Sequence, residues 1–244
     1  MAVPGMSGES WRRDPRSGWL ALALLAAAAF VAVVMLAMLW PAFDSLDAAL
    51  SAAVRSLRAP ALTTVALGMT TMGSTLVIAP LTVVLMIWMA ARRNWAGVIY
   101  VFMTVAVGWF FGNDIVKYIV RRPRPVGVSI GTPLTDFSMP SGHSLAAFLF
   151  FATMCVVVML NLPTGRHMKR WLAAVSAIII LGVGFSRVYL GVHWVGDVVA
   201  AYLLGGAWWS FTSATYFGSV TEERRVTPRP GEAESDESES SESA

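Results

Sequence analysis

Long apolar runs broken by short charged gaps organise this chain. Uncharged stretches extend over Ser17–Phe43, Ala59–Ala91, Asn94–Asn113, Gly142–Gly165, Trp171–Ser186 and Val198–Val220. Most of them approach or exceed the roughly 20 residues that a helix needs to cross a bilayer. The run from Ala59 to Ala91 is too long for one crossing and contains Gly68 and Gly73, which predicts an interfacial or re-entrant piece followed by a span from Ser74 to Ala91. The expected fold is therefore all-α, a polytopic membrane protein with six transmembrane helices. The apolar core of the first run, Trp19 to Trp40, is longer than the about 7 to 15 residues of a signal-peptide core, so it reads as an uncleaved first helix.

Composition supports this reading, since 56% of residues are hydrophobic and only 14% are charged. The expected surroundings are a lipid bilayer, and no nucleic-acid partner is implied. The single cysteine, Cys155, falls inside the fourth span and excludes an intramolecular disulfide or a CxxC site. The net charge of +3 hides an asymmetry, because eight of the 15 acidic residues follow Thr221. Gly231 to Ala244 is nearly all Glu, Ser, Asp and Ala, a composition that buries too little apolar surface to fold. The predicted organisation is a segment 1–17, a six-helix domain 18–217 and a disordered acidic tail 218–244.

Short basic loops set the expected orientation. Arg12, Arg13 and Arg16 precede span 1, Arg92 and Arg93 separate spans 2 and 3, Arg166, Lys169 and Arg170 separate spans 4 and 5, and Arg224 and Arg225 follow span 6. Six crossings put all four clusters on one side. If that side is the cytoplasm, both termini are inside a cell membrane, and Asp44–Gly73, Ile115–Ser141 and Arg187–Gly196 lie outside. Those outer segments also carry Arg55, Arg58, Lys117, Arg121, Arg122, Arg124 and Arg187, an excess that a bound anion such as phosphate would balance.

Three outer segments carry candidate chemistry. Lys117 to Pro125 (KYIVRRPRP) ends span 3 at two prolines, so the backbone turns where cations cluster. Lys117 and Arg124 could form two sides of a phosphate cradle, or simply touch lipid headgroups. Pro140-Ser141-Gly142-His143 opens span 4, where Ser141 is either an ordinary N-cap or part of an anion site with the helix N-terminus. The helix dipole disfavours a proton on His143 and a phosphate dianion favours one, so a general-acid role there depends on bound substrate. Ser186 to Asp197 joins spans 5 and 6 and places His193 four residues before Asp197. On a helix such a pair shares a face, and the carboxylate can hold one ring nitrogen while the other is free to attack, or the pair can be structural. The third histidine, His167, lies in a basic loop and reads as loop composition.

Together these residues resemble the signature of the type 2 phosphatidic acid phosphatase superfamily, membrane lipid phosphatases that share an active site with vanadium haloperoxidases. Its pattern is Lys, six residues, Arg-Pro; then Pro-Ser-Gly-His; then Ser-Arg, five residues, His, three residues, Asp. It matches at Lys117–Pro125, Pro140–His143 and Ser186–Asp197. The resemblance implies that His193 is the nucleophile, Asp197 its orienting partner and His143 the general acid. It implies that Lys117, Arg124, Arg187, Ser141 and the Gly142 N–H hold the phosphoryl oxygens, with no metal or other cofactor. The implied substrate is a membrane lipid phosphate or diphosphate, with undecaprenyl diphosphate favoured over phosphatidylglycerophosphate and phosphatidic acid. A phosphotransferase using a lipid or sugar acceptor, an anion or lipid transporter, and a metal site built from His143, His193 and Asp197 stay open as rivals. Asp114, one turn before Lys117, is expected to pair with Lys117 or Arg121. Arg121, Arg122 and Asp136 are candidates for a second phosphate or a headgroup.

Overall fold

The computed structural model describes residues 15–131, 135–163 and 165–226, and among them every regular element is a helix. α1 covers Pro15–Leu39, α2 Pro41–Arg55, α3 Pro60–Met72 and α4 Thr75–Ala91. α5 is Trp95–Val120, α6 Gly142–Asn161, α7 Arg166–Tyr189 and α8 Val195–Val226. Prolines open α2 and α3 at their first helical position, where the missing N–H costs no bond. The α3–α4 pair bends by 43° at Gly73 and Ser74, where the sequence predicted a break between a re-entrant piece and a span. α5 contains two π-helical stretches, Phe102–Val107 and Phe111–Val116, the second ending just before Lys117. Nothing in the hydropathy pattern announced them.

The six-span expectation is met in part. Among the described residues α1, α5, α6 and α7 are long and apolar enough to cross a membrane, and the bent α3–α4 pair passes the same test together. α8, expected to be the sixth span, is long enough, but Gly205, Gly206, Ser210, Thr212, Ser213 and Thr215 dilute its apolar character. Those small residues let it pack instead. α8 lies against α1, α5 and α6, with Ala200, Ala201, Ser210 and Ser213 fully or almost fully buried. Lipid tails are as apolar as leucine, so close packing and interhelical hydrogen bonds hold such a bundle together. Tyr100 and Ser213 share a hydrogen bond at 2.8 Å, and Thr104 donates to Thr212 at 2.9 Å, tying α5 to α8. α6 is the central helix, and its Ala146, Ala147, Phe150, Phe151 and Val157 join α4, α5 and α7 in the main core. α8 continues to Val226, into the segment from residue 218 that the sequence reading assigns to the tail. The expectations for 1–14 and 227–244 lie outside the described residues.

Candidate active site

Four helix ends meet at one end of the bundle. The C-terminal ends of α5 and α7 bring Lys117 and Arg187, and the N-terminal ends of α6 and α8 bring His143 and Asp197. The intervening loops add Arg124 and His193. After α7 the chain reverses at Gly191, whose φ of 76° is costly for any residue with a Cβ. The turn then bonds the N–H groups of Val192 and His193 back to the Arg187 carbonyl.

His193 is 1% exposed and Asp197 0%. The ring Nδ1 faces Asp197 Oδ2 at 3.3 Å, and Nε2 lies 3.0 Å from Arg124 Nη1. A guanidinium can only donate, so Nε2 is the acceptor and the ring proton sits on Nδ1, toward the carboxylate. Burial, and then the charges of Arg124, Arg187 and Lys117, push the pKa of His193 well below the ordinary histidine value. The resting ring is therefore neutral, with its Nε2 lone pair pointing at the cations.

Two of those cations share one carboxylate. Lys117 Nζ donates to Asp136 Oδ2 at 2.7 Å, while Arg124 donates to Asp136 Oδ1 from Nη2 at 2.8 Å and from Nε at 3.1 Å. Burial opposes the ionisation of Asp136, but Lys117 and Arg124 outweigh it and hold the carboxyl below its ordinary range. Arg187 is buried; its Nη1 donates to Thr70 at 2.6 Å, and its Nε has no hydrogen-bond partner among the described residues. His143, half-buried in the first turn of α6, lies within electrostatic reach of Arg187, His193, Lys117 and Arg124. Ser141 precedes that helix without capping it: its Oγ accepts from the Ser144 hydroxyl at 2.9 Å, and its N–H donates to the Asp197 carbonyl at 3.1 Å. The first ladder bond of α6 runs from Leu145 N–H to Ser141, so the N–H groups of Gly142 and His143 lie outside the ladder. All eight residues singled out by the motifs thus converge.

Behind Asp197 the charge ratio reverses. Arg122, 8% exposed, donates from Nη1 to Asp197 Oδ1 at 3.1 Å and to Asp47 Oδ2 at 2.8 Å, and from Nη2 to Asp44 Oδ1 at 2.8 Å. The attraction of Asp197 and the two α2 carboxylates outweighs burial and raises the Arg122 pKa.

Several expectations need correction. Asp114 does not pair with Lys117 or Arg121: Lys117 reaches Asp136, and Arg121, left-handed at φ 52°, donates to the Tyr118 carbonyl. Arg122 is not offered to a second phosphate but is buried among carboxylates, and Asp136 sits inside the cradle rather than beyond it. Arg58 is also satisfied internally, by the carbonyls of Tyr189 and Val128. The basic excess expected on the outer side is therefore partly structural. Sequence reasoning missed Asp44, Asp47 and Ser51, although their spacing of three and four puts them on one face of α2.

Residues 96–220 match the family model of the PAP2 superfamily. The chain belongs to that superfamily and is a membrane phosphatase, a hydrolase. It is 32% identical to phosphatidylglycerophosphatase B of Bacillus subtilis over 170 residues, spanning 67% of this chain and 80% of the relative. It is 33% identical to an undecaprenyl-diphosphatase of Sulfolobus acidocaldarius over 139 residues, 55% of this chain and 60% of that one. The crystal structure of a transmembrane PAP2-type phosphatidylglycerolphosphate phosphatase from Bacillus subtilis superposes with a TM-score of 0.73 at 26% identity, covering 85% of this chain and 98% of that one.

Proposed function

We propose that this phosphatase releases phosphate from a lipid monophosphate or diphosphate through a phosphohistidine on His193. The observation that carries this reading is the guanidinium of Arg124, which holds an oxyanion, Asp136, with Nε and Nη2 and His193 Nε2 with Nη1. A phosphoryl group in place of that carboxylate would lie beside the attacking lone pair. Arg187 Nε would gain an acceptor that no described residue supplies, and three cations beside two histidines favour an anion there over a metal ion.

In the first step Nε2 forms a bond to phosphorus, the P–O bond to the lipid breaks, and the departing oxygen takes a proton from His143. In the second, His143 removes a proton from water, the water oxygen attacks phosphorus, and the P–N bond breaks to return the lone pair to Nε2 and release inorganic phosphate. Asp197 balances the positive ring formed in between. Lys117, Arg124, Arg187, Ser141 and the Gly142 N–H neutralise the equatorial oxygens, which is most of what phosphoryl transfer requires.

An apolar cavity of about 460 Å³ between α4 and α5 supports a lipid as the phosphate carrier. Phe102, Trp109 and Met86 line it, and it reaches Ala146, one turn beyond His143. Arg92, donating to the Asn161 carbonyl at 3.2 Å, marks the opposite end of the bundle, in keeping with an extracytoplasmic site. The names of the relatives point to undecaprenyl diphosphate and phosphatidylglycerophosphate as the first substrates to try, with the polyprenyl diphosphate favoured.

The test is phosphate release by detergent-purified protein in excess EDTA from those two lipids and phosphatidic acid, with quenching in alkaline dodecyl sulfate to trap phosphoenzyme. Wild type should turn over at least one lipid and form an acid-labile, base-stable phosphoenzyme. His193→Ala should lose both by about 10⁴-fold or more. Turnover that survives His193→Ala would overturn the proposal.

A further inference from the structure

α8 starts at Val195, two residues before Asp197, and its first N–H groups need acceptors from outside the helix. They find them on α2, far away in the sequence. The Val195 N–H donates to Ser51 Oγ at 3.0 Å, and the Gly196 N–H to Asp47 Oδ1 at 2.9 Å. The other oxygen of Asp47 holds Arg122 Nη1, the same nitrogen that donates to Asp197. Asp47 therefore touches both supports of the catalytic carboxylate, the helix that carries it and the cation that pairs with it.

This junction is closed to anything larger. A Cβ on Gly196 would stand 2.6 Å from Asp47 Oδ2 and 3.2 Å from Arg122 Nη1. Asp47 is 3% exposed and Ser51 0%, so neither group has water to replace a lost partner. Asp44, bonded to the same guanidinium, is 57% exposed and keeps its access to solvent. The Trp194 N–H turns back to Asp197 Oδ2 at 2.9 Å, the oxygen that also faces His193 Nδ1. A shift in the start of α8 is thus a shift in the His193 ring.

We infer that Asp47 is a positioning residue for the His193–Asp197 pair, and that α2 belongs to the catalytic apparatus. With Ser51 it docks the first turn of α8, and through Arg122 it fixes where Asp197 lies, which sets the angle at which Nε2 meets phosphorus. This rests on the phosphohistidine reading. Its hydrogen bonds run to Arg122 and Gly196, away from the phosphate-facing cations, so its loss acts on the rate and not on anion affinity.

The experiment is a double-mutant cycle of Asp47→Asn and Asp197→Asn, reading kcat, KM, inhibition by inorganic phosphate and melting temperature in detergent. The amide introduced by Asp47→Asn can still accept from the Gly196 N–H but presents its own N–H groups to Arg122. Asp47→Asn alone should lower kcat about 10- to 100-fold, the usual scale for groups that orient a reacting side chain, with KM and phosphate inhibition within about 2-fold. In the Asp197→Asn background it should add less than about 2-fold. Multiplying effects, or a folded Asp47→Asn protein with wild-type kcat, would overturn the inference. Should Asp47→Asn not fold, Ser51→Ala replaces it: a lower kcat at unchanged KM supports the docking role, and a wild-type kcat refutes it. If His193→Ala is dead while the α2 variants are fully active, only this inference fails. If His193→Ala stays active, the mechanism beneath it fails instead.

Discussion

On the Nε2 side of His193, Lys117, Arg124 and Arg187 surround the single carboxylate of Asp136; on the Nδ1 side, the single guanidinium of Arg122 is shared by Asp44, Asp47 and Asp197. The first side keeps an excess of positive charge, an Arg187 Nε without a hydrogen-bond partner among the described residues, and an Asp136 that is 45% exposed. The second is closed, with Asp47 and Asp197 buried and each held by Arg122 and a backbone N–H. Unsatisfied buried cations are costly, so under the proposed function the first side takes an anion that arrives and leaves, while the second holds one geometry. The proposed phosphohistidine route uses both, since a nucleophile must be oriented before a charged substrate can meet it in line.

The strongest way to break that contrast is Arg124→Lys. A lysine keeps the charge but cannot hold an oxyanion and His193 Nε2 on two edges of one plane. Steady-state kinetics should show kcat/KM lower by about 10²- to 10³-fold, the scale of removing a donor that stabilises a transition state. A loss under about 5-fold would mean that Arg124 acts as a point charge only.

The next effect concerns the proton that the positive side excludes. The folded-state pKa of His193 is depressed, whereas an unfolded histidine binds a proton below about pH 6.5. Below that pH the unfolded state holds the extra proton, so stability is full above about pH 6.5 and falls as pH drops toward the folded value. Melting curves in detergent from pH 7.5 to 5 should show this decline, at most about 1.4 kcal/mol per pH unit for one proton. His193→Gln should flatten it; an unchanged slope would place the lost protons elsewhere.

The smallest effect should come from Asp136→Asn. Removing the carboxylate already bound to Lys117 and Arg124 leaves the entering anion without an internal competitor. Because Asp136 is half exposed, the gain is at most about 1 kcal/mol, or about 5-fold tighter inhibition by inorganic phosphate. Weaker inhibition would instead make Asp136 a support that keeps the cations in place.

Much of this was legible in the chain. Apolar runs located α1, α5, α6 and α7 and the break between α3 and α4, and the motifs grouped Lys117, Arg124, His143, Arg187, His193 and Asp197, which the fold brings together. Local signals were sufficient there because each motif sits at a helix end, where prolines, a glycine turn and free N–H groups leave marks within a few residues. The π-helical stretches of α5 left no such mark, because they change the register of a helix without changing its apolar composition. Asp114 was the wrong partner for Lys117 for a related reason: nearness along the helix favoured it, but a lysine stem long enough to leave the helix face found Asp136 across the loop.

The sequence by itself determined the class of the protein and the motif residues that gather around His193, since hydropathy and motif spacing are properties of neighbours in the chain. Which arginine lies against His193 and which is buried among carboxylates was decided by tertiary structure alone. Arg122 and Arg124 are two residues apart and chemically identical, yet one lies among the carboxylates behind Asp197 and the other between Asp136 and His193. Their surroundings depend on the position of α2, which is tied by long-range hydrogen bonds that the first N–H groups of α8 donate to Ser51 and Asp47 and that no local pattern encodes.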